Sequence, residues 1–142
     1  MNRRPILILV LIALIPLLAG CAADARKEEL LNLSLEGYGA SLRWGDFRSA
    51  LNYVDPEERP DPARINFVLQ RFDQIRVTSY RDLDGGPGVE PNTIMQTAEI
   101  RLINKHTAVE RTIIDRQVWR WDEVAERWWL TTGLPNISRT GR

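Results

Sequence analysis

The chain has 142 residues, and its 19 basic and 19 acidic side chains cancel to a formal net charge of zero. No basic stripe or charge run stands out, which argues against a nucleic-acid partner. One cysteine and one histidine leave no pair for a disulfide and no cluster for a metal or a histidine-centred catalytic site.

The first element is a short apolar run. Arg3 and Arg4 supply positive charge, and Ile6 to Leu18 is apolar apart from Pro16. That suits the hydrophobic part of a secretory signal and falls short of the about 20 residues that a bilayer-spanning helix needs. Small residues then lead into Cys21, and Leu18-Ala19-Gly20-Cys21 resembles the lipobox of bacterial lipoproteins. The resemblance implies that the chain is cut before Cys21, that its thiol takes a lipid, and that the new amino terminus is acylated with palmitate-like chains. Ala22 stands where an Asp usually marks retention in the inner membrane. This implies an outer-membrane lipoprotein facing the periplasm if the organism is Gram-negative. Each buried acyl CH₂ contributes about 0.8 kcal/mol, so several chains on one cysteine hold a protein almost permanently. The expected organisation is a signal peptide over 1–20, a lipidated tether over 21–27, a folded domain over 28–135 and a tail over 136–142.

Removing Arg3 and Arg4 from the 19 basic residues leaves 17 against 19 acidic ones. What remains is ample for one domain and short for two. Leu31, Leu35, Tyr38 and Leu42 recur at helical spacing and predict a helix over 24–44. Gly37 and Gly39 weaken it locally, unless something packs closely against them. Asp46 is placed to cap a second short helix whose stripe is Phe47, Ala50, Leu51 and Val54, stopped at Asp55-Pro56. Asp61-Pro62 marks a third helix start, with Ile65, Val68, Leu69 and Phe72 on its buried face.

The second half changes to strand chemistry. Ile75, Val77 and Ser79 alternate with Arg76, Thr78 and Tyr80. Asp82 to Asn92 is rich in Gly and Pro and reads as a long loop, Gly85-Gly86-Pro87-Gly88 included. Three extended runs follow, over 93–104, 107–122 and 127–133. A two-residue turn at Lys105-His106 pairs Leu102 with Val109, Ala98 with Ile113, Gln96 with Asp115 and Arg101 with Glu110. A four-residue turn over Glu123–Glu126 pairs Trp121 with Trp128, Trp119 with Leu130, Asp122 with Arg127 and Arg120 with Trp129. Each hairpin register satisfies apolar and charged pairs together. One face of the sheet then carries Ile94, Ala98, Ile100, Leu102, Val109, Ile113, Trp119, Trp121, Trp128 and Leu130, and the helices are available to cover it.

The expected fold is therefore α+β, with three N-terminal helices packed on a curved antiparallel sheet of about four strands. Element order and the hairpin Trp119-Arg120-Trp121 … Trp128-Trp129-Leu130 resemble NTF2-like (cystatin-like) domains. That resemblance implies a cone with a pocket between helices and sheet. Gln96, Asp115 and Gln117 fall on the apolar face, along with Arg111. Buried polar groups are costly unless paired, so they point to a satisfied internal network or to a cavity lining. In the cavity reading, Gln96, Asp115 and Gln117 are polar contacts, and Tyr38, Trp44, Trp119 and Trp121 are aromatic walls. The other reading is a face switch at a bulge that leaves Asp115 and Gln117 in solvent.

Two function classes remain open. One is a lipid-anchored module without chemistry of its own, held to the membrane through Cys21 and binding an envelope protein or a small apolar ligand. Trp44 and Trp129 are its candidate contact residues, although Trp129 can instead stack on Arg120. The other is a small pocket enzyme, as the NTF2-like resemblance implies, with Asp115 as base and Tyr38 or Tyr53 as hydroxyl donor. No catalytic residue, cofactor or metal is assigned, and His106 reads as a residue of a surface turn.

Overall fold

A computed structural model describes residues 4–138, with side chains from Ala22 onward. The lipobox side chains, Cys21 among them, and the tail beyond Ser138 lie outside the described residues. Among the described residues no helix is long and apolar enough to cross a membrane.

The chain is α+β. Helices α1 (Arg4–Arg43), α2 (Phe47–Ala50) and α3 (Ile65–Phe72) precede strands β1 (Ile75–Pro87), β2 (Thr93–Asn104), β3 (Glu110–Asp122) and β4 (Arg127–Leu130). The strands form one antiparallel meander in the order β1-β2-β3-β4. Residues 22–27, expected as a tether, are helical and continuous with α1. Asp46 caps α2 by accepting a hydrogen bond from the Ser49 amide. Asp61 accepts from the Ala63 amide, so the chain turns there, and α3 itself starts at Ile65 rather than at Pro62.

The core lies between α1 and the inner face of the sheet. Tyr38, Leu42, Trp119 and Leu130 are fully buried, and Leu31 and Leu35 pack against them from the same stripe of α1. The Tyr38 and Trp119 rings meet edge to face at 5.6 Å. Each ring removes about 150–250 Å² from water, worth on the order of 4 kcal/mol. From the sheet's edge, Val54 bridges to Leu130 and ties the segment after α2 to β4.

The β3–β4 hairpin has the register expected of it, Trp121 opposite Trp128 and Asp122 opposite Arg127. The β2–β3 hairpin is displaced by two residues. Ala98 faces Asp115 and Leu102 faces Arg111, while Gln96 faces Gln117. Asn104 causes this: its side chain accepts from the His106 and Thr107 amides and builds a wider turn that takes in Ala108 at positive φ. Val109 is consequently outside the strand and exposed, not on the apolar face. A shift of two leaves every other side chain on its expected face, because strand side chains alternate with period two.

β1 departs more. It continues through Asp82–Pro87, so the loop expected at Asp82–Asn92 shrinks to the residues after Pro87. Register shifts fall between Val77 and Ser79 and between Asp82 and Asp84. The first is a bulge at Thr78, whose hydroxyl donates to the Arg101 carbonyl. An extra residue reverses the alternation beyond it, so Tyr80, expected outside with Arg76, turns into the core. Gly39 makes that possible, since a Cβ there would stand 2.9 Å from the Tyr80 ring.

Gly39→Ala should therefore destabilise the fold. The helix gains about 1 kcal/mol of propensity, but overpacking against Tyr80 costs roughly 1–3 kcal/mol. Urea unfolding should show a net loss; a net gain would mean that Tyr80 yields freely.

Candidate functional site

The polar groups expected on the apolar face are there, and they converge on Gln117. This residue is only 1% exposed. Trp119 Nε1 donates to Gln117 Oε1 at 3.0 Å. An indole nitrogen can only donate, so this bond fixes which way the Gln117 amide points. The two amide hydrogens then go to Asp115 Oδ2 at 2.8 Å and to the Tyr80 hydroxyl at 3.0 Å. β3 supplies Asp115 and Trp119, β1 supplies Tyr80 across the intervening β2, and α1 contributes Tyr38, whose ring packs on Trp119.

Electrostatics follow from burial. Asp115 holds its proton to higher pH than an ordinary carboxyl because burial disfavours its charge; the Gln117 hydrogen bond opposes this. Burial pushes Tyr80 up to about 12 against the same opposing bond. Tyr38 is pushed well above the usual tyrosine range by burial, with the nearby Asp115 and Tyr80 adding to it. Its hydroxyl is buried and has no hydrogen-bond partner in the protein.

The remaining expected site residues scatter. Gln96 is half-buried on the same face but turns to the sheet's edge, donating to Asp82 Oδ1 at 3.2 Å rather than meeting Asp115. Trp121 is partly exposed at the β3–β4 hairpin, stacked on Trp128 at 5.6 Å with Lys27 Nζ 5.2 Å from its ring. Trp44 is no wall of any interior space, being 86% exposed just past the end of α1. Tyr53 packs edge-on against Tyr38 and Trp119 and makes no hydrogen bond to Asp115. Trp129 stacks on Arg127 at 3.8 Å, with Arg59 behind it, whereas Arg120 pairs with Asp55. β3 has no face switch, so the solvent-facing alternative for Asp115 and Gln117 does not occur. His106 sits exposed in the β2–β3 turn with Nε2 2.5 Å from Gln74 Oε1. Tyr80 is the residue that sequence reading missed, because the bulge at Thr78 carries no sequence signature.

No family model matches this sequence, and no curated protein matches it. Solved structures similar to it include the following two. One is a SEC-C motif containing protein from Rhodopseudomonas palustris, 17% identical with a TM-score of 0.48, covering 68% of this chain and 71% of that one. The other is a protein of the NTF2-like family from Streptomyces avermitilis, 15% identical with a TM-score of 0.46, covering 73% of this chain and 90% of that one. At that similarity neither neighbour speaks to this chain's chemistry.

Two stability predictions come from the cluster. Gln117→Leu strands the Trp119 indole N–H and should cost about 3 kcal/mol in chemical denaturation. Tyr38→Phe removes only an unpartnered hydroxyl and should be neutral or stabilising by up to about 1 kcal/mol. A third concerns pH. Folding disfavours ionised Asp115, so its cost is fully present above the raised folded pKa, fades as pH falls through that value and is gone below the unfolded one. Asp115→Asn should raise Tm at neutral pH by an amount that shrinks on acidification. An increment that grows on acidification would contradict the buried-carboxyl assignment.

Proposed function

We propose that this chain is a lipid-anchored envelope lipoprotein acting as a non-catalytic binding or interaction module. The motif Leu18-Ala19-Gly20-Cys21 after a short apolar run supports export and acylation at Cys21. Ala22 supports an outer-membrane place facing the periplasm in a Gram-negative host. The order of three helices and then a meander, closed by the tryptophan hairpin, supports an NTF2-like relationship.

One observation carries the non-catalytic reading. Gln117 is 1% exposed, with Trp119 and Tyr38 at 0%, and every polar atom of the Gln117 side chain is engaged by a protein partner. Side chains fill the interior around Gln117. The partner is an envelope protein or a small apolar ligand, and Trp44, a residue 86% exposed, is the natural contact for a protein.

The second reading, a pocket enzyme with an Asp base and a Tyr, rests on one feature. Asp115 borders a shallow opening of about 270 Å³ with Thr132 and Asn136. Against it, Gln117 holds the carboxylate, and the tyrosine sharing that amide is Tyr80. A hydroxyl pushed up to about 12 is a weak acid at neutral pH.

Mass spectrometry of the natural protein should find a chain that starts at an acylated Cys21. An intact initiator methionine or an unmodified soluble form overturns the anchor. Pull-down from detergent-solubilised membranes should recover an envelope partner with the natural protein and lose it with Trp44→Ser at unchanged Tm. Recovery of the same partner by both overturns Trp44 as the contact.

A further inference from the structure

The outer edges of the sheet are blunted at β1 and at β4. β1 is interrupted by its two register shifts, which spoil an edge for pairing. β4 is four residues long, and the segment Tyr53–Asp55 bonds to its outer side at Leu130. A third stretch of edge, on β3, has neither protection. β4 pairs with β3 only from Trp119 to Asp122, while the ladder to β2 runs unbroken from Glu110 to Arg120. The β4 side of β3 is therefore open from Glu110 to Arg116.

Two bonds give the backbone direction there. The Trp121 amide donates to Asn92 on the β2 side, and the Val118 carbonyl accepts from the Thr131 amide on the β4 side. Backbone groups of successive strand residues point to alternate sides, so those of Glu110, Thr112, Ile114 and Arg116 point to the open edge. Among the described residues no backbone hydrogen bond from another segment reaches them. Beyond Thr131 the chain leaves the ladder and Leu134 packs on the core, with an opening of about 270 Å³ beside Ile114, Asp115 and Arg116. Such a row of unpaired N–H and C=O groups is a template for another strand.

The charges of this stretch say which strand. Glu110-Arg111-Thr112-Ile113-Ile114-Asp115-Arg116 complements its own reverse. Laid antiparallel on a second copy about Ile113, Glu110 faces Arg116 and Arg111 faces Asp115, each pair occurring twice by symmetry. Thr112 faces Ile114, a cross-strand pair of β-branched side chains. Edge-pointing residues also meet edge-pointing residues, as the ladder's hydrogen bonds require. A slip of two residues either way keeps that match but leaves all four charges without an opposite. Parallel pairing in register sets like charges side by side. Five ion pairs form among the described residues, and none uses Glu110, Arg111, Asp115 or Arg116.

We infer that the chain forms a two-fold dimer through this edge, β3 against the β3 of a second copy, so that two four-stranded sheets become one. The contact is separate from Trp44 and goes beyond partner capture there. Hydrogen bonds along the edge supply the attraction, and the charge pattern selects the copy and fixes the register.

Disulfide trapping in membranes that carry the full-length protein tests both the contact and its register. Thr112→Cys and Ile114→Cys chains are expressed together and oxidised, and linked peptides are read by mass spectrometry. The proposed register sets positions 112 and 114 face to face with Cα atoms about 5.5 Å apart, within disulfide reach. The 112–114 link should exceed the 112–112 and 114–114 links at least tenfold. Arg116→Glu added to both chains should cut it at least tenfold at unchanged Tm, and Glu110→Arg together with Arg116→Glu should restore it to within twofold. A dominant 114–114 link reports a register without charge matching and overturns the proposal. So do absence of the 112–114 link, indifference to Arg116→Glu, and failure of the exchanged charges to restore what Arg116→Glu removes.

Discussion

Gln117 is the constraint that the rest of the core answers to. Its amide is sealed from water, so each of its polar atoms must find a partner in the protein or cost about 1–3 kcal/mol. Trp119 sets the direction of the amide, and Asp115 and Tyr80 take its two hydrogens. Those demands reach well beyond β3. Tyr80 arrives only because β1 carries a bulge at Thr78, and it fits under α1 only because residue 39 has no side chain. One buried amide thereby ties a strand irregularity, a helix glycine and the edge-on stacking of Tyr38 on Trp119 into a single arrangement.

The same arrangement engages the Asp115 carboxylate, which supports the non-catalytic proposal. An acid or base that works at neutral pH needs its proton to be mobile and its reactant to be within reach. Asp115 is shifted by burial, as catalytic carboxyls often are, but its carboxylate is held by a residue whose remaining atoms are also engaged. Perturbed titration at this place is a product of packing, one of the ordinary sources of such shifts.

The two ends of the sheet differ in kind. At one end Lys27 closes α1 onto the β3–β4 hairpin, donating to Asn92 and lying over the Trp121 and Trp128 rings while Trp128 Nε1 donates back to its carbonyl. At the other end β3 begins beside an opening that Arg71, Gln74 and Arg111 line. β3 has 13 residues, so about 40 Å at ~3.3 Å per residue separates the two.

Much of this was legible along the chain. Helix stripes, the capping Asp46, the α+β order and the inward faces of β2 and β3 follow from periodicity, which depends on each residue's near neighbours alone. The β3–β4 register was legible because tryptophan pairs and an Asp–Arg pair demanded one alignment at once. That Asp115 and Gln117 lie inward was one of two readings the sequence left open, and the unbroken β2–β3 ladder decided it. What only the tertiary structure decided was who meets whom. Tyr80 and Gln117 are 37 residues apart, and their contact depends on a bulge whose stability comes from the packing it permits. Trp44 lies just beyond the helix that covers the core, yet projects into water, while Gln96, one strand position from the cluster, turns to Asp82 at the edge. Composition and period specify faces; partners are chosen by the three-dimensional competition for buried hydrogen bonds, which no local pattern records.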